Sequence, residues 1–377
     1  MPRFTSEQLS FAASKRGYMG RDESIEFLEH MDIRMSVGHW SAGDFCDRFA
    51  PPGYHSDDPT FDKTFEGQCR RTRAAGVEAI EIHQSVFEKT LNGDIDQKAI
   101  DKASKGYLAE LGLTLSACNI NTWTNPKFRL GGPCNPDPAL RRAALDEIMK
   151  GVEICRQLEI PVLSVWPGSD GADYHFQIDY KQSLEWFTEA LVAVNHECVK
   201  HGIRLAIEPK PYEPRELFMI IPTAASAILV AQAVNAATGG ANCGLTIDYG
   251  HQKMEATTAS TACDLAAFAG VSVHKFDVND ARQGRNDQDC MFGTLSIPES
   301  VEYLYTTFVR DYRGYYSQDQ FTYREDPTRA IERSLINFAN LSLKAARIYA
   351  SQGALDTARR AGTGPDVLDV VSPVLVG

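Results

Sequence analysis

The stretch Ser272-Val273-His274-Lys275-Phe276-Asp277 is a β-like run, and it leads into Val278-Asn279-Asp280-Ala281-Arg282-Gln283-Gly284-Arg285-Asn286-Asp287-Gln288-Asp289, a loop rich in carboxylates. Two upstream stretches have the same form. Ile207-Glu208-Pro209-Lys210-Pro211 and Asp248-Tyr249-Gly250-His251 each follow an apolar run and each offer oxygen or imidazole ligands. Working outward, short apolar runs alternate with longer helical patterns about eight times, with strands expected at 33–38, 79–83, 113–119, 161–166, 204–208, 244–248, 272–277 and 314–319. Between them, Leu140, Leu145, Ile148, Val152 and Ile154 recur at helical spacing over 138–158, and Leu184, Phe187, Leu191 and Val194 do so over 180–200. Eight such alternations predict an α/β fold, a (β/α)8 TIM barrel. In that fold the active site forms at the C-terminal ends of the strands, where these acids and this histidine fall. The expected organisation is a barrel with a helical lead-in over 1–350, its last helix near 328–350, and a C-terminal tail over 351–377.

The bulk composition excludes several classes. A chain of 377 residues with 43% hydrophobic and 23% charged residues is ordinary for a globular protein. A net charge of −12 argues against a nucleic-acid partner. No apolar run is long enough to span a bilayer, and the first residues lack the pattern of a secretory signal. Nine scattered cysteines without a CxxC pair read as reduced thiols, so a cytoplasmic location is expected.

Asp, Glu and His clustered without Cys suit a hard or borderline divalent cation such as Mg, Mn or Co. Glu208 ends strand five, Asp248 ends strand six with His251 three residues on, Asp277 ends strand seven and Asp319 ends strand eight. Asp287 and Asp289 sit one residue apart, so on an extended segment both would point the same way. These residues divide into two metal sites. One is all carboxylate, from Glu208, Asp248, Asp277 and Asp319; the other takes Asp248, His251, Asp287 and Asp289, with Asp248 bridging. Two cations sharing a carboxylate can clamp adjacent oxygens of a polyol. Taken singly, an Asp can equally be a helix cap or a solvated loop charge, and Asp280 and Asp326 are read that way.

The chain resembles the xylose isomerase family. Glu208-Pro209-Lys210-Pro211-Tyr212-Glu213-Pro214-Arg215 looks like the family's E-P-K-P-x-E-P-R, and Asp248-Tyr249-Gly250-His251-Gln252 is similar to its E-x-G-H-E-Q. Asp277-Val278-Asn279 with Asp287-Gln288-Asp289 matches D-x-N…D-Q-D, and Val165-Trp166-Pro167-Gly168 with the residues after it resembles W-G-G-R-E-G. The likeness covers roughly 33–350. It implies aldose–ketose interconversion of a small-molecule sugar by a metal-assisted hydride shift, with two divalent metal ions. It also implies that Lys210 donates to the carbonyl oxygen, that His83 assists ring opening, and that Trp40, Trp123 and Trp166 wall the sugar. A homo-oligomer, dimer or tetramer, is expected from the family and from the apolar tail residues Val367, Leu368, Val370, Val371, Val374 and Leu375. A Phe from a neighbouring subunit usually completes the family's pocket, a part open to Phe45 or Phe49.

The sugar-handling residues depart from the family while the metal frame is kept. Where the family has H-D-D-D, this chain has His83-Gln84-Ser85-Val86, so the carboxylate that orients the histidine is missing. The last strand, Gln318-Asp319-Gln320-Phe321, lacks the family's lysine, and the bridging Glu has become Asp248. The pattern points to weak turnover of D-xylose and D-glucose. It also keeps open an epimerase or a C-glycoside deglycosidase (lyase) on the same frame. A divalent-metal endonuclease of this fold would carry more His ligands and a basic groove.

Overall fold

The computed structural model describes residues 2–46, 49–50, 52–213, 218–255 and 257–377. Its eight barrel strands are β1 (Arg34–Gly38), β2 (Ala79–His83), β3 (Thr114–Asn119), β4 (Val162–Val165), β5 (Arg204–Ile207), β6 (Cys243–Asp248), β7 (Val273–Val278) and β8 (Tyr315–Gln318). Each lies parallel to its sequence neighbours, and β8 closes on β1 through Arg34↔Tyr315 to Val37↔Gln318. All eight expected strands are present, within a residue or so at each end. A further antiparallel pair, Gly171–Ala172 with Phe218–Met219, lies outside the barrel.

Local chemistry sets the helix bounds. Asp137 caps the helix Pro138–Leu158 by accepting from the Ala139 amide, and Pro138 takes the first turn, where its missing N–H is not needed. Asp179 caps Tyr180–Lys200, and Asp326, read as an ordinary acid, caps Pro327–Ala350. Asp280 is likewise structural. It is buried, pairs with Lys253 Nζ at 2.9 Å, and accepts from the Thr294 and Leu295 amides. The helices carry their apolar faces inward, as Ile148, Val152, Phe187, Leu191 and Val194 show.

The tail, its apolar residues expected to serve an oligomer, is two helices, Gln352–Ala361 and Gly364–Val376. Val367, Val370, Val371, Val374 and Leu375 pack on the chain's own core, while Leu368 is exposed. Lys344 Nζ donates to the carbonyls of Val374 (2.8 Å) and Leu375 (3.1 Å), tying the last turn to the preceding long helix. The apolar side chains offered to a partner are therefore largely used within the chain. Phe45 lies edge-on to His39 and Phe321, and Phe49 is exposed. Among the described residues no helix is long and apolar enough to cross a membrane, and the cysteines are free thiols.

Candidate metal centre and its aromatic cavity

The parallel register brings strand ends together at one mouth. Asp248 pairs with Asp277 across β6 and β7, and Asp277 with Ser317 across β7 and β8. Four carboxylates, Glu208, Asp248, Asp277 and Asp319, offer oxygens that all lie within 4.8 Å of one another, the first of the two groupings expected. A second group, Glu208, Asp248 and His251, meets the same distance. Glu208 and Asp248 thus belong to both groups, where the sequence pointed to Asp248 alone as the bridge.

The ligand atoms are held from outside. Asp248 caps the helix Tyr249–Met254, its Oδ1 accepting from the His251 amide at 2.8 Å, and Asn279 Nδ2 donates to its Oδ2 at 3.0 Å. His251 Nδ1 donates to the Pro209 carbonyl at 3.0 Å, which turns Nε2 toward Asp287 Oδ2, also 3.0 Å away. Asp287 further pairs with Lys210 Nζ at 3.0 Å. Asp289 has a left-handed backbone (φ 44°), so the loop is not extended there. Its Oδ1 accepts from Asn279 Nδ2 at 3.1 Å. Both acids still face the cavity, through this turn rather than through strand alternation. Pro214 and Arg215 of the quoted motif lie outside the described residues.

Charge crowding is severe. Burial, reinforced by neighbouring acids, pushes the carboxyls of Asp277, Asp289 and Asp319 well above the usual range. Burial pushes Asp248 up to about 6. Asp287 goes the other way: burial opposes its ionisation, but Lys210 and His251 hold it well below the ordinary value. One oxygen of Asp277 (Oδ1) and one of Asp287 (Oδ1) are buried with neither a hydrogen bond nor an ion pair. Orphaned carboxylate oxygens that resist ionisation, gathered around one imidazole, fit divalent cations, whose charge reverses that resistance. Glu208, Asp248, Asp277 and Asp319 would hold one cation, and Glu208, Asp248 and His251, with Asp287 adjacent, a second.

One internal cation escaped the sequence reading. Lys275 is buried on β7, with Nζ 2.9 Å from both Glu81 Oε2 and Asp277 Oδ2. Asp277 and Glu81 keep Lys275 charged although burial opposes it. Strand alternation was the available signal, since Lys275 and Asp277 share a face of β7 and Glu81 and His83 share a face of β2.

Beside the acids lies a cavity of 390 Å³, a size suited to a small molecule. Trp40, Trp123, Trp166, His83 and Lys210 line it. The Trp123 and Trp166 rings meet edge-on at 4.6 Å, and Trp40 stacks on His83 at 4.5 Å. Trp40 Nε1 also donates to Asp319 Oδ1 at 2.6 Å. Glycines make room for this wall: a Cβ on Gly38 would stand 2.4 Å from the Trp40 ring, and one on Gly168 2.5 Å from Trp166. Lys210 is held by Glu213 and Asp287, and its Nζ sits 5.1 Å from the Trp166 ring centre.

Comparison with known proteins places the fold and the sequence among relatives. Xylose isomerases of Thermus thermophilus and Thermus caldophilus are each 26% identical over 267 residues, a match covering 70% of this chain and 66% of those proteins. A solved L-ribulose 3-epimerase superposes with a TM-score of 0.63 at 16% identity, covering 85% of this chain and 98% of that one. A D-psicose 3-epimerase of Clostridium cellulolyticum H10, solved with D-tagatose, gives 0.60 at 15% identity over 83% and 99%. These likenesses of structure speak to the fold. Residues 69–334, well over half of the chain, match the xylose isomerase-like TIM barrel family, and the chain belongs to it.

Proposed function

We propose that this protein is a divalent-cation-dependent enzyme that interconverts an aldose and a ketose. The observation that carries the reading is the pair of ligand groups sharing Glu208 and Asp248 beside an aromatic-walled cavity. Bound Mg, Mn or Co would supply electrostatic stabilisation of negative charge on adjacent sugar oxygens. Lys210, kept charged by Asp287 and Glu213 against its burial, donates a hydrogen bond to the carbonyl oxygen. His83 moves a proton at a sugar hydroxyl. The tryptophan faces cover the apolar side of the sugar and exclude water.

The test is a panel of aldoses and keto-sugars, run with chelator-treated protein and again with Mg, Mn or Co restored. Cation-dependent conversion is expected, slow on D-xylose and D-glucose and faster on another sugar. Losing an oriented acid–base group lowers a rate on the order of a hundredfold or more. Full activity in metal-free protein rejects the reading, and D-xylose clearly outrunning every other sugar rejects the substrate argument. A second reading, a sugar epimerase or lyase working by proton abstraction, draws support from the 3-epimerases among the similar folds. Running the reaction in heavy water separates the two, because a hydride shift keeps the migrating hydrogen while abstraction admits deuterium. A homo-oligomer, dimer or tetramer, belongs to the same proposal. Exposed Tyr174 and Phe176 are apolar surface that an assembly would cover, and a monomer by light scattering at micromolar concentration rejects it.

A further inference from the structure

His83 lacks the carboxylate partner of its family counterpart, yet its ring is not unsupported. His83 Nδ1 lies 3.1 Å from His39 Nε2, and His39 Nδ1 lies 3.1 Å from Gln68 Oε1. Three elements supply this line: the end of β2, the residue after Gly38 of β1, and the helix Phe65–Ala74. The two imidazoles stand perpendicular, with centroids 5.0 Å apart. His39 and Gln68 are both buried. Around His39 stand the rings of Trp40, Phe45 and Phe65.

A neutral imidazole has one donor nitrogen and one acceptor nitrogen. With Gln68 Oε1 as acceptor, the proton of His39 must sit on Nδ1. His39 Nε2 then offers only a lone pair, so His83 must donate to it from Nδ1. That leaves His83 Nε2 with no hydrogen. We propose that Gln68 and His39 form a relay that holds His83 with its proton on Nδ1 and presents a bare Nε2 as the proton acceptor of the cavity. Neither His39 nor Gln68 needs to touch a substrate; they are positioning residues.

The environment agrees. Burial pushes His39 down to about 4, and burial, then His39 and Lys275, hold His83 well below its ordinary value, so neither ring is charged at pH 7. A carboxylate partner would fix the tautomer and also stabilise the imidazolium. An amide–imidazole pair fixes the tautomer without that added stabilisation, so His83 is a weak base. In the step it serves, an O–H bond of the bound molecule breaks and an N–H bond forms at Nε2. The electron pair stays on oxygen, and the proton is later returned. Such a base works only on a group already made acidic, which a divalent cation held by the neighbouring acids would provide if the function proposed above is right.

The tautomer is read directly by long-range proton–nitrogen correlation spectra of the full chain labelled with nitrogen-15 histidine, without substrate. A His83→Asn sample assigns the signals. We expect His83 and His39 each to carry hydrogen on Nδ1 alone. Hydrogen on His83 Nε2, or on both nitrogens, overturns the relay. Gln68→Leu removes the acceptor and should mix the tautomers of both rings, whereas Gln68→Glu keeps an acceptor and should preserve them. Unchanged spectra in the Leu variant also overturn it, and the parent spectrum decides the question even if the variants do not fold. Only the catalytic use of Nε2 rests on the proposed function. An inactive sugar panel with the expected spectrum rejects that function and leaves the relay standing.

Discussion

Asp248→Asn should abolish divalent-cation binding in both ligand groups at once, because Asp248 is common to the two. One neutral oxygen cannot balance two dications. The expected weakening exceeds the roughly 10–100-fold that follows from losing an outer hydrogen-bond partner of a ligand. The fold should survive, since Asn caps a helix about as well as Asp and can still accept from the His251 amide. Asp289→Asn makes the control: it belongs to neither shared group and should weaken binding far less. Elemental analysis after dialysis against Mn counts the ions directly. Two ions retained by the Asp248 variant would show that it bridges nothing.

The second large effect is on stability. Lys275→Met should lower unfolding free energy in cation-free buffer by about 3–5 kcal/mol, the usual result of removing one partner from a buried ion pair. That is a large part of the roughly 5–15 kcal/mol a folded chain has. Lys275, Glu81 and Asp277 are each almost fully buried, so water cannot take over the ammonium's role. The double variant Lys275→Met with Glu81→Met should recover much of the loss, since it removes one of the stranded charges. Saturating Mn should also narrow the gap, because a cation at Asp277 partly replaces the ammonium. Urea unfolding decides it, and a Lys275→Met chain within 1 kcal/mol of its parent is the contrary result.

Much of this architecture was legible because its signals are local. The β5, β6 and β7 runs each lead to an acid at or just past the strand end, and Asp137, Asp179 and Asp326 mark helix starts by capping them. What could not be read depends on contacts between distant segments. His39 and His83 are 44 residues apart, and no spacing rule links either to Gln68. The acidic loop shows the limit of a periodicity argument. Asp287 and Asp289 invite the alternation of an extended strand, but the positive φ at Asp289 turns the chain. Asp287 is then aimed at Lys210 and His251, and Asp289 at Asn279. The tail, whose apolar residues pack mostly on the chain's own core, is a related case. Its apolar residues promise a surface to lie on, and sequence alone does not say whose surface that is.

Trp40 joins two parts of the cavity: its ring stacks on His83 while its Nε1–H is spent on Asp319. The emission of an indole responds to a charge beside its N–H, and here the group that carries it is the Asp319 carboxylate. If the acids hold a cation, the protein would carry its own optical gauge of ion occupancy, readable by intrinsic fluorescence without label or substrate. Filling the all-carboxylate group would change the charge carried by Asp319, which burial and its neighbours otherwise hold back from ionising, so a spectral shift on adding Mn is expected, and a Trp40→Phe chain should lose that component of the signal.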